Sequence, residues 1–91
     1  MEQEQYVYLI RLVKEEYSMP HTRAFISKEV AENYFESDLK FYRKKGWDVD
    51  DDENYCGGVN TIRRADMIRK NEEGNFEHME LLLQAFEIIK N

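Results

Sequence analysis

Cysteine is all but missing from this chain. Cys56 stands alone, so no internal disulfide can staple the fold, and a reducing, cytoplasmic compartment is the simplest setting. Imidazole is nearly as scarce. His21 and His78 are far apart in sequence, and no motif joins either to Cys56, so neither a catalytic dyad nor a zinc site is expected. There is no glycine-rich phosphate loop and no serine in a recognisable nucleophile turn. No run approaches the roughly 18 apolar residues needed to cross a bilayer. The opening Met1-Glu2-Gln3-Glu4-Gln5 lacks the basic and apolar segments of a secretory signal, so the protein is expected to stay where it is made. These absences favour a non-enzymatic protein with no cofactor and no metal.

What remains is the composition of a folded domain. Hydrophobic residues make up 42% and charged residues 35%, too apolar a balance for a disordered chain. A length of 91 residues suits a single domain, 1–91, with one core. The net charge of -6 is unevenly placed. Met1 to Gly46 carries eight Lys or Arg against eight Asp or Glu, and Trp47 to Asn91 carries five against eleven. An acidic second half repels nucleic acid and anionic membranes and favours a protein partner with a basic surface, while a modest negative charge also keeps a small protein soluble.

The run from Gln5 to Val13 is aromatic and β-branched, without glycine or proline, and reads as a strand. One face carries Tyr6, Tyr8, Ile10 and Leu12, the other Val7, Leu9, Arg11 and Val13, so both faces call for cover. Lys14 to Thr22, with the lone Pro20, reads as a connection and Arg23 to Ile26 as a short strand. Ser27 then supplies an N-cap and Glu29 an acid in the first turn of a helix running to about Lys45. Ala31, Phe35, Leu39 and Tyr42 form its apolar stripe, with Val30, Tyr34 and Phe41 beside them. Arg43, Lys44 and Lys45 followed by Gly46 make a favourable helix end, with Trp47 placed to pack back onto it.

Asp48 to Asn54 reads as a solvated acidic loop and Cys56-Gly57-Gly58 as a turn or bulge, with a strand from about Val59. Asn71 to Asn75 reads as a hairpin turn with Gly74 at positive φ. Phe76 to Ile89 matches both a helix and a strand template, and the preceding turn favours the strand. The expected architecture is α+β, an antiparallel sheet of about four strands with one amphipathic helix, in the order β-β-α-β-β. A helical carboxyl-terminal segment is the alternative. One helix covers one sheet face, so a homodimer through Tyr6, Tyr8, Ile10 and Leu12 would shelter the other; a carboxyl-terminal helix would do so within one chain.

Five acids stand among the six residues Asp48 to Glu53. Asp48, Asp50 and Asp52 have the spacing that opens a calcium-binding loop, but Glu53 replaces the required glycine and Val59 the closing glutamate, so a calcium site is not expected. The same acids could imitate a phosphate backbone, which makes Asp48, Asp50, Asp51, Asp52 and Glu53, with Tyr55, the candidate partner-binding residues. Arg63, Arg64 and Arg69, with Lys70, form the main basic cluster outside the helix end. They suit an anionic metabolite or nucleotide held between subunits, or else ion pairs with Glu72, Glu73, Glu77 and Glu80 across the hairpin.

Two stretches, Phe25-Ile26-Ser27-Lys28-Glu29-Val30-Ala31-Glu32 and Phe76-Glu77-His78-Met79-Glu80-Leu81-Leu82-Leu83 to Phe86-Glu87-Ile88, resemble the strand-to-helix junction and final strand of short uncharacterised proteins carried by bacteria and their phages. That resemblance, covering about a third of the chain, implies a phage-type accessory protein that blocks a host or defence protein. It implies no catalytic residues.

Overall fold

The computed structural model describes residues 5–14, 17–52 and 60–88, with backbone alone at 17–21 and 52. Its elements are β1 (Tyr6–Lys14), β2 (Tyr17–Phe25), α1 (Lys28–Lys44), β3 (Asp48–Asp52), β4 (Thr61–Lys70) and β5 (Phe76–Glu87). All five strands join one antiparallel sheet in the order β2-β1-β5-β4-β3, with α1 packed on one face. The protein is α+β, with one helix and one more strand than the residue patterns suggested.

β5 is the centre of the sheet, bonded to β1 on one side and β4 on the other. Phe76 to Glu87 is a strand and the helical alternative is set aside. The reason is alternation: Met79, Leu81 and Leu83 are buried beneath α1, while Leu82 and Phe86 lie half-buried on the opposite side. Residues apolar on both sides satisfy a central strand, which has no solvent edge.

Two segments depart from expectation. The acidic stretch is not a loop: Asp48 to Asp52 pairs along β4 as an edge strand, with Asp50 opposite Asp66. Charge there is tolerated, and charged edge strands also resist pairing with other chains. β2 begins at Tyr17 and not near Arg23, absorbing most of the supposed connection. It too is an edge, and its register shifts between Leu12 and Lys14 of β1, across from the stretch holding Pro20. Bulged edges are where a strand accommodates a proline.

The helix follows its chemistry. Ser27 is the N-cap, its Oγ accepting from the Val30 N–H at 3.3 Å. At the other end Gly46 adopts φ 89°, the Gly46 N–H donates to the Arg43 carbonyl and the Trp47 N–H to that of Tyr42. This is the Schellman arrangement, and the Trp47 ring meets Tyr42 edge-on at 6.4 Å as its hydrophobic contact. Ala31, Phe35 and Leu39 are fully buried, whereas Val30, Tyr34 and Phe41 stay about half exposed, so the stripe that meets the sheet is narrower than the apolar residues suggested. The β4–β5 turn places Gly74 at φ 86° and Asn71 Oδ1 accepts from the Glu73 and Asn75 N–H groups, as the hairpin signal requires.

The core consists of Ile10, Ala31, Phe35, Leu39, Trp47, Ala65, Met67, Met79, Leu81 and Leu83, all between α1 and the sheet. Tyr8 and Leu12 pack against it. Of the residues expected at a subunit contact, Tyr6, Tyr8, Ile10 and Leu12, Ile10 is 1% exposed beneath the helix and Tyr8 and Leu12 pack on the same core, which leaves little of Ile10 for a second subunit. Both sides of β1 are apolar, and the residue order alone does not say which one the helix takes. No described helix is long and apolar enough to cross a membrane.

Candidate functional site

The face of the sheet turned away from α1 is built by strand alternation. β1 contributes Val7, Leu9, Arg11 and Val13; β5 contributes His78, Glu80, Leu82, Gln84 and Phe86; β4 contributes Arg64, Asp66 and Ile68. Register sets Val7 opposite Phe86, and Leu9 between Gln84 and Ala24, which gathers the apolar residues towards the β1 side. Ile68, 45% exposed, is a separate apolar spot between Asp48 and His78. No described element lies across this face.

Towards β3 the face becomes ionic. Asp50, Asp66 and Glu80 stand directly opposite one another on three adjacent strands, an arrangement that repels unless a cation intervenes. Arg64 intervenes: one guanidinium nitrogen lies 2.6 Å from Glu80 and 3.1 Å from Asp66. His78 Nε2 is 3.5 Å from the same Asp66 oxygen. Ligand atoms of Asp66, His78 and Glu80 all lie within 4.8 Å of one another, a grouping able to hold a divalent cation. Arg64 already supplies positive charge at both carboxylates, so the cluster is complete as an ion-pair network. Only the β4–β5 register brings these residues together, and the Gly74 hairpin was its sole signal in sequence.

The remaining arginines divide as strand alternation dictates, Arg63 and Arg69 facing α1 and Arg64 facing away. Arg63 donates to Glu36 of the helix at 2.6 Å and to Asp51 of β3 at 2.7 Å, with its guanidinium carbon 4.7 Å from the centre of the Phe35 ring. Burial alone would lower its pKa, but hydrogen bonds and charge from Glu36 and Asp51 outweigh this and hold it above the ordinary arginine value. Arg63 is thus a clip that ties β3, β4 and α1, and is not placed to receive a ligand. Asp51 is spent in the same clip. Arg69 pairs with Glu77 at 2.9 Å and lies over Trp47, 4.5 Å from the ring. The cross-hairpin pairing thus occurs at Arg64–Glu80 and Arg69–Glu77.

Of the acidic partner-binding candidates, Asp48 and Asp50 are exposed on the edge strand, while Glu53 and Tyr55, like Cys56, lie outside the described residues. The backbone of Asp52 belongs to β3. A second ionic tie, Arg23 to Asp38, joins β2 to the helix beside Tyr42. Burial, and then the Asp38 carboxylate, raise the Tyr42 pKa, with Arg23 acting in opposition.

A comparison with known families, curated proteins and solved structures finds no match for this chain.

Proposed function

We propose that this chain is a non-enzymatic protein-binding module that works as a homodimer in the cytoplasm, with the sheet face turned away from α1 as the contact between subunits. The observation that carries the reading is the half-buried stripe of Val7, Leu9, Leu82 and Phe86 on a face across which no described element packs. An apolar surface of this kind is characteristic of interaction sites. Both signs of charge flank the stripe, Arg11 on β1 and the Arg64–Asp66–Glu80 group on β4 and β5, as a patch that contacts its own copy about a twofold axis needs. The exposed Asp48 and Asp50 on the neighbouring edge strand then form an acidic rim available to a basic protein. The likeness of the helix junction and last strand to phage accessory proteins makes inhibition of a host protein the form of this function that we favour.

The partner is tested by capture from extract of the native host, comparing the wild-type protein with Asp48→Asn/Asp50→Asn. A partner retained at low salt, released at high salt and reduced in the double variant supports the reading. Capture insensitive to both salt and neutralisation contradicts it. The dimer is tested by mass in solution.

A further inference from the structure

A cleft of about 710 Å³ opens on the helix-bearing side, between the end of α1, the β4–β5 hairpin and the last residue of β1. His78, at its border, also belongs to the sheet face turned away from α1, but the Val7, Leu9, Leu82 and Phe86 stripe of that face takes no part in the cleft. Phe41 and Phe76 line it while remaining 53% and 74% exposed, the second being the most exposed aromatic among the described residues. Trp47 and Tyr42 form deeper wall, packed edge to face. Lys14, Lys45 and Arg69 bring positive charge to the same cleft, against Glu73 and Glu77. In a chain of net charge -6 this is a local reversal of sign.

We infer that this cleft binds an aromatic anion of nucleoside monophosphate size, its ring lying against Phe41 and Phe76 and its phosphate meeting Lys14 and Lys45. The size falls within the range of small-ligand sites. Two phenylalanines left in water contribute little to the core, yet they offer the sequence-tolerant stacking platform that nucleobases use. Lys45 already sits 5.5 Å from the centre of the Phe41 ring, so charge and ring are presented side by side. The amides of Lys45, Gly46 and Trp47 donate to the Phe41, Tyr42 and Arg43 carbonyls, which lessens the negative charge that the end of the helix presents to the anion. Arg69 is held by Glu77 and Trp47 as part of the wall, which leaves the two lysines as the anion's partners.

Trp47, the only tryptophan in the chain, lines the cleft, so its fluorescence reports occupancy directly. The full chain is titrated with AMP, with adenosine and with inorganic phosphate, for the wild type and for Phe76→Ala and Lys45→Ala, each checked for folding by circular dichroism. Saturable quenching by AMP, with adenosine and phosphate at least about tenfold weaker and both variants weakened about tenfold, is the expected result. Both substituted side chains are exposed, and Lys45→Ala alone suffices should Phe76→Ala not fold. Absent or non-saturable quenching overturns the inference, as does AMP binding that the variants leave unchanged. Adenosine or phosphate binding as tightly as AMP overturns it too, since ring and anion must act together.

Discussion

Arg63 shows how one side chain can look like a ligand contact and serve as a structural tie. It is 14% exposed, and its partner Asp51 13%, so removing the guanidinium leaves a carboxylate short of its counter-charge in a half-dry setting. Arg63→Ala is expected to cost about 2–3 kcal/mol by denaturant unfolding, below the full figure for a buried pair because Glu36 is 46% exposed. Arg63→Lys keeps the charge but cannot span two carboxylates with a planar fork, and should recover only part of the loss. Because the Arg63 pKa is raised, its contribution is fully present below the ordinary arginine range and fades only above it; no acid-side loss is expected from the guanidinium itself. Tyr42 carries a testable alkaline signature. Its raised pKa means that the folded state holds the phenolic proton more tightly than the unfolded chain does. The associated stability is present below the ordinary tyrosine pKa and disappears as pH rises through the higher folded value. A spectroscopic titration should therefore show a late-ionising tyrosine that Tyr42→Phe removes.

At the scale of elements, the helix and its ends carry local instructions. The Ser27 cap, the positive φ of Gly46 and the return of Trp47 onto Tyr42 all reside within a few residues of the boundaries they set. Gly46→Ala should cost about 1 kcal/mol, read as a lower thermal midpoint, because an L side chain is strained at that φ. These features were legible in sequence for that reason, as was the Gly74 turn. The acidic strand was not. Five acids in six residues suggest solvent, and the properties that make Asp48 to Asp52 a strand are non-local: an edge position, Val49 against the core and the Arg63 clip on Asp51. The face of β1 that becomes the core was likewise undetermined, since Tyr8, Ile10 and Leu12 are no less apolar than Val7, Leu9 and Val13. Only the placement of α1 resolves it. The Asp66–His78–Glu80 group and the aromatic cleft depend on strand register and on the juxtaposition of helix and hairpin, which composition does not encode.

At the scale of the whole molecule, one helix shelters one side of a five-stranded sheet, and burial is lopsided as a result. Leu83 is fully buried under α1, so Leu83→Ala should cost about 2–5 kcal/mol through loss of packing and the cavity left behind. Leu9, on the opposite side of the sheet, is only partly buried within the chain. A lysine there should cost the isolated subunit far less than it costs assembly. Solution mass by light scattering, run on the wild type and on Leu9→Lys with circular dichroism to establish that both are folded, tests this most directly. A wild-type mass of twice the 11.0 kDa chain, falling to one chain in folded Leu9→Lys, is the expected result. A wild type that is a stable monomer at every concentration, or a dimer that Leu9→Lys leaves intact, would contradict the sheet face as the subunit contact.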